Sequence, residues 1–449
     1  MLGKPVKFCM INLLLFFVAL TLFGFSASLW VMVAVMVFII LYNTPRAGFV
    51  NAVVLAIIYG LIFDSDIFSL TYYKFRLWYF LLVLVIYCRV ITYLRKRGTL
   101  HKRVSREQMV VSGCVICLFL LSAVCFLLDP FVFKFHNIKY WLFYVCLIIV
   151  LYGFFKDFPC RRVELFDYLI SIAVFVAIWG IIQFVFNLRG VPNYMYDYSN
   201  IRPSAFFSET TWYAEYLVFG LFLMLLRVSI SRSYQLLIVT PFFISGIVLS
   251  ATRNAYLGLL IFVVFSVVYV LLRQKVAIGL VFNRYVLVAA VVILTTALVF
   301  KGYTLTYINH ILYKFTLSDQ SAQGRVKAFK TSVEDFSVSP VFGQGFGWGK
   351  ADTGTGTSVG AKSFNLFFMI LHIFGIVGFI PFAFLIILFY MRTIYGCLIK
   401  QSLFARYSLI MFTSFLAMAM FAPIHQYPFG MYVVAMATYL STIGLKCQN

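Results

Sequence analysis

Fourteen apolar runs follow one another along the chain, at about 8–24, 26–42, 48–63, 77–94, 109–128, 138–155, 164–187, 212–230, 235–250, 254–272, 283–301, 363–390, 407–422 and 428–445. A helix crosses a bilayer in about 20 apolar residues, so the runs near 16 residues are short for a perpendicular span. The pattern predicts an all-α polytopic membrane protein with about 14 transmembrane helices, within a range of 12–14. Most links between runs are short, and two are long. The chain therefore divides into N-terminal membrane helices (1–187), a first long loop (188–211), central membrane helices (212–301), a second long loop (302–362) and C-terminal membrane helices (363–449). The second loop has room for a helix of its own around Arg325–Phe336, ahead of a glycine-rich stretch, Gly343-Gln344-Gly345-Phe346-Gly347-Trp348-Gly349.

Charge orients these runs. Cytoplasmic links carry an excess of Lys and Arg. With the N-terminus inside and sides alternating, 22 of the 36 basic residues fall inside, with only four of the 14 acidic ones. The cluster from Arg95 to Arg106 is the strongest anchor. Both termini are then cytoplasmic, and both long loops lie on the outer face, as does the short link Ser250-Ala251-Thr252-Arg253.

Composition agrees. The chain is 63% hydrophobic and 11% charged, against roughly 25% charged residues in a soluble domain. A net charge of +22 points to orientation rather than to nucleic acid, because the charges sit in links between apolar runs. The run after Lys4 and Lys7 resembles a signal peptide in its charge and length, but no small-residue cleavage site follows it, and it reads as a retained first span. Cys114 and Cys117 have redox spacing inside an apolar run, where packing is the better reading.

Against this background one stretch is unusual: Arg202-Pro203-Ser204-Ala205-Phe206-Phe207-Ser208-Glu209-Thr210-Thr211-Trp212-Tyr213-Ala214-Glu215. Charges beside a bilayer need solvation, a partner or a ligand. Arg253 stands between two runs with almost no link, close to the membrane surface. It reads either as a snorkelling side chain or as an anion clamp, since guanidinium grips phosphate oxygens in pairs. Glu209 at a helix start could simply complement the helix dipole or act on substrate. Glu215 lies deeper, where a carboxylate demands a partner or a substrate. Gly343–Gly349 lacks the Lys-Ser/Thr ending of a phosphate loop. His310, His372 and His425 show no metal-ligand spacing, so neither a metal nor another cofactor is expected.

These pieces, in this order, resemble the bacterial O-antigen polymerase and ligase superfamily over roughly Arg202 to Gly378. Arg202-Pro-Ser-Ala-Phe-Phe-Ser-Glu209 is similar to its arginine-led loop, and Ser250-Ala-Thr-Arg253 to its small-polar-Arg element. Gly324-Arg325 with Pro340-Val-Phe-Gly-Gln-Gly-Phe-Gly347 resembles its Gly-Arg and Pro-x-x-Gly-x-Gly pair. Ser363-Phe364-Asn365 and Gly375-Ile-Val-Gly378 resemble its return into the membrane. The ligase branch carries a histidine before that asparagine; here the position is Phe364, which favours the polymerase branch.

The resemblance implies a GT-C-like architecture and a metal-independent glycosyltransferase. Its substrates would be undecaprenyl-diphosphate-linked oligosaccharides at the outer face of the bacterial cytoplasmic membrane. Arg202, Arg253 and Arg325 would hold the donor diphosphate; Glu209, then Glu215, would serve the acceptor. Membrane lipids, a flippase and a chain-length regulator are the implied partners, and nucleic acid is not. Two rival readings are an O-antigen ligase and a lipid-linked-oligosaccharide flippase. The flippase calls for ionisable groups along mid-span, and few are present.

Overall fold

The computed structural model describes residues 37, 39–40, 49–61, 66–70, 73–76, 81–89, 145–156, 162–185, 202–205, 207, 209–231, 234–273, 320–343, 365–421 and 428–446. The Arg95–Arg106 cluster, Cys114 and Cys117, His310, Gln344–Gly349, Phe364 and His425 lie outside the described residues. Among the described residues four helices are long and apolar enough to cross a membrane: Leu165–Val185, Thr210–Ser231, Leu366–Leu398 and Leu403–Phe421. Shorter apolar helices cover Phe49–Gly60, Val145–Lys156, Gln235–Ser250, Arg253–Phe265 and Phe429–Ile443. An all-α membrane protein is what these elements build. The expected total of 14 spans rests partly on runs outside the described residues. A short antiparallel hairpin, β1 (Asp66–Leu70) with β2 (Tyr73–Arg76), interrupts the helices where the sequence has a polar link.

The chain forms two compact units. The first holds α1 (Phe49–Gly60), α2 (Arg162–Val185), α3 (Thr210–Ser231), α4 (Thr240–Ser250) and α5 (Arg253–Arg273). Because lipid is as apolar as leucine, its helices associate through close packing and a few interhelical hydrogen bonds rather than through the hydrophobic effect. Tyr213 is the wedge between α2, α3 and α4. It is fully buried, and its hydroxyl donates to the Ala177 carbonyl at 3.3 Å. Gly180 on α2 and Gly246 on α4 make room for it, since a Cβ at either would overlap the phenol. At one end of the unit Arg227 on α3 and Asp167 on α2 pair through two nearly parallel bonds of 2.8 and 3.2 Å.

The run expected over 235–250 is split. It begins as a 3-10 turn, Tyr234–Val239, and becomes α-helical only at Thr240, with Pro241 in the first turn. Proline is tolerated there because that N–H has no helical partner. The helix closes at Ala251, whose left-handed φ of 47° returns its N–H to the Val248 carbonyl at 3.0 Å. Thr252 then takes the Tyr256 N–H on its carbonyl and α5 starts at once. The near-absence of a link around Arg253 is thus a helix stop and a helix start set end to end.

The second unit holds α6 (Gln320–Val338), α7 (Leu366–Leu398), α8 (Leu403–Phe421) and α9 (Pro428–Lys446). The helix expected in the second long loop is α6. Helix α7 runs past the expected end at residue 390 to Leu398. Ile376, Ile380, Phe384, Ile387, Met391, Ile394 and Leu398 are exposed along it at helical spacing, the stripe expected of a lipid-facing surface. Its other side meets α8 through Phe389 and Phe412, whose rings lie 4.0 Å apart. A buried contact of 3.0 Å between Thr393 and Ser441 ties it to α9.

Helix α7 is broken at Gly375, which has φ 61° and ψ −162°. The break leaves the next N–H groups without helical acceptors. The turn after α6 supplies them: Ile376 donates to the Pro340 carbonyl at 2.9 Å and Val377 to that of Val341 at 3.1 Å. Gly343, at φ 72°, crosses so close that a Cβ there would meet the Gly375 nitrogen and the Ile373 carbonyl. The Pro-x-x-Gly and Gly-x-x-Gly segments are therefore two halves of one backbone interlock.

Candidate functional site

The polar stretch opened by Arg202 and the link ending in Arg253 meet within the first unit. Arg202 donates from Nε to the Ser250 carbonyl at 2.6 Å. Its Nη2 donates to the Ala251 carbonyl at 3.3 Å and to Thr252 Oγ1 at 3.1 Å. The last carbonyls of a helix lack intrahelical donors and carry the negative end of the dipole. Arg202 thus caps α4 and holds the turn that begins α5. Its guanidinium is engaged in scaffolding, a role the residue pattern did not reveal.

Arg253 is the first residue of α5 and is half-buried. A cation in the first turn of a helix adds to the positive potential of that end and makes it favourable for an anion. Asn254, next along, is buried and donates from Nδ2 to Glu215 Oε1 at 3.2 Å. Glu215 itself is fully buried on α3, so the carboxylate expected to need a partner has one on α5. Glu209 is exposed one residue before α3, and its carbonyl takes the Tyr213 N–H at 3.3 Å. It is therefore the N-cap position of that helix, outside the apolar packing that encloses Glu215. Phe207 and Trp212 are buried, and Phe207 lies 5.4 Å from Tyr216, ring to ring; these aromatics serve packing.

Two residues of this neighbourhood, Gln183 and Asn254, were not picked out from the sequence. Gln183, buried near the end of α2, accepts on Oε1 from the N–H groups of Ser204 at 3.2 Å and Ala205 at 2.7 Å. Its Nε2 donates to the Ala205 carbonyl at 3.1 Å. The available signal was an amide in an otherwise apolar run. Asn254 carried a similar signal.

Arg202, Arg253, Glu209 and Glu215 thus lie on elements gathered at one end of the first unit, opposite the Asp167–Arg227 pair. Arg325 belongs to α6 in the second unit, and its side chain lies outside the described residues. Asn365, in the same unit, caps α7 by accepting from the Phe367 and Phe368 N–H groups at 2.9 and 3.3 Å. His372 is buried one turn before the Gly375 break. Among the described residues no three of His, Cys, Asp and Glu come together as a metal would require.

Residues 236–383 match the family model described as O-Antigen ligase. Over that part of the chain the sequence is similar to the O-antigen ligase family. The match begins just before α4 and ends within α7, so it takes in Arg253, Asn254, Arg325 and both halves of the glycine interlock, whereas Arg202, Glu209 and Glu215 precede it. The O-antigen polymerase and ligase superfamily, read from the order of the polar motifs, is in agreement with it. The family implies a glycosyltransferase-like enzyme acting on lipid-linked glycans, and together with the apolar helices it indicates a bacterial membrane protein. No curated protein matches the chain.

Proposed function

We propose that this protein is an O-antigen or related surface polysaccharide polymerase. It transfers a growing undecaprenyl-diphosphate-linked glycan onto the next lipid-linked repeat unit, at the outer face of the cytoplasmic membrane with both termini inside. The observation that carries the proposal is Arg253 at the start of α5, set there by Arg202 and flanked by the buried Asn254–Glu215 pair. In the reaction an acceptor hydroxyl attacks the anomeric carbon of the donor sugar. The sugar–phosphate bond breaks, and undecaprenyl diphosphate leaves with the bonding electrons. Arg253 meets the charge that grows on the leaving group; Arg202 orients it and adds its own positive charge nearby. Glu209, exposed at the start of α3, takes the hydroxyl proton or positions the acceptor. Glu215 is the second choice for that role. Arginine charge fulfils the task that a metal has elsewhere, so the reaction is metal-independent, and the activated donor supplies the driving force.

Phe364 supports polymerase over ligase, because phenylalanine cannot take a proton where the ligase branch has histidine. The description of the matching family favours the second reading, a ligase that moves finished glycan onto lipid A core. Purified protein given a defined lipid-linked repeat unit together with lipid A core, without metal or nucleotide, distinguishes them. A ladder of multiples supports the polymerase. Transfer to lipid A core without any ladder assigns the ligase, and neither product overturns both.

A further inference from the structure

After Arg202 the chain turns at Ser204 and Ala205, and at Ala205 the backbone has a left-handed φ of 51° in a residue with a side chain. Such a conformation persists only when its surroundings impose it. One local bond closes the turn, from the Phe207 N–H to the Ser204 carbonyl at 3.0 Å. A further restraint at this turn comes from Gln183. Its amide presents one acceptor and one donor to the same two residues, matching both N–H groups and the Ala205 carbonyl. Gln183 and Ala205 are both buried, as are Ser204 and Phe207, so water is poorly placed to replace these bonds. A buried polar group left unmatched is costly, and an amide is the side chain whose two ends suit both sides of a peptide.

We infer that Gln183 is a positioning residue for transfer: it fixes the Ser204–Ala205 turn, and thereby both Arg202 and the entry to α3 at Glu209. The inference rests on the transferase reading proposed above. The linkage is short on both sides. Two residues upstream of Ser204, Arg202 grips Ser250, Ala251 and Thr252, and Arg253 follows Thr252. Four residues downstream of Ala205 stands Glu209, the N-cap of α3. Gln183 does not touch substrate in this scheme. It sets the separation between the group facing the leaving diphosphate and the group serving the acceptor, the quantity on which an oriented bimolecular transfer depends.

The test compares full-length wild type, Gln183→Leu and Gln183→Glu in lipid nanodiscs, with a defined lipid-linked repeat as substrate. Hydrogen exchange over the 202–209 segment reads the loop, and steady-state kinetics read the reaction. In Gln183→Leu the segment should exchange about tenfold faster. Its kcat should fall by about 10- to 100-fold, the scale of a misplaced reacting group, with KM changed less than about threefold. Gln183→Glu is the conservative partner and also serves if the leucine variant does not fold. A protonated carboxyl offers the same acceptor and donor as the amide, so its kcat relative to wild type should recover as pH falls. A purely structural role would show as a loss of folded protein with normal kcat and no such pH rescue, and that result overturns the inference. So does an unchanged exchange rate over 202–209. A folded wild type that is inactive on lipid-linked repeat units overturns the transferase reading itself, whereas an active wild type beside an equally active Gln183→Leu overturns this inference alone.

Discussion

Gly375 should be among the least replaceable positions in the second unit, and the reason can be put in numbers. Replacing it with alanine asks a residue with a Cβ to adopt φ 61° and ψ −162°, a region essentially reserved for glycine that costs about 1–3 kcal/mol to occupy. The new Cβ would also meet the Val341 carbonyl and the Gly343 nitrogen. Relief requires the two backbone segments to separate, which lengthens the Ile376–Pro340 and Val377–Val341 bonds. Each such bond contributes about 1 kcal/mol net. The sum is about 4 kcal/mol, or roughly 10 °C in unfolding midpoint at the sensitivity of a domain of this size. Thermal unfolding of the detergent-solubilised protein at fixed scan rate measures the total. Hydrogen exchange at Ile376 and Val377 shows whether the loss is local. Gly343→Ala should reproduce the effect, and the double variant should cost less than the sum, because both substitutions open one contact. A Gly375→Ala protein that melts within about 2 °C of wild type, with both amides still protected, would refute the interlock.

The remaining predictions concern the first unit. Arg253→Ala should abolish polymer formation while leaving membrane insertion and melting temperature intact; polymer of normal length from this variant, read on a gel, sinks the clamp. Glu215→Gln keeps the shape and the hydrogen bond from Asn254, so packing is preserved. If the carboxylate acts on substrate, transfer falls by about 100-fold, whereas normal kcat would assign Glu215 to packing alone. Asp167→Asn removes a charge from the partly buried pair with Arg227 and should lower stability by about 1–3 kcal/mol. Transfer by the folded protein should stay the same, since the pair sits at the far end of α2 and α3 from Arg253; a lower kcat at equal folded fraction would contradict that separation.

Much of the molecule is determined by local composition. Runs of apolar residues must satisfy their backbone internally in lipid, and a helix is the way a single segment does so. That is why the all-α class and the approximate ends of α2, α3 and α8 were legible from the residues alone. The suspicion attached to Arg202, Glu209, Glu215 and Arg253 had the same origin, because ionisable groups at a membrane edge are conspicuous in any order. Their partners were not legible. The acceptors that Arg202 meets are 48 to 50 residues away, and two are backbone carbonyls, which carry no sequence signal. Asn254 and Gln183 appear in the sequence only as isolated amides. Helical phase and interhelical packing decide that one meets a carboxylate on α3 and the other meets a turn. The glycine motifs at 343 and 375 are likewise visible as spacing, but only the fold sets one against the other. Hydropathy therefore chose the elements and marked the residues worth attention. Tertiary packing chose their partners, and it turned Arg202 from an isolated charge into the cap that sets Arg253 at the head of α5.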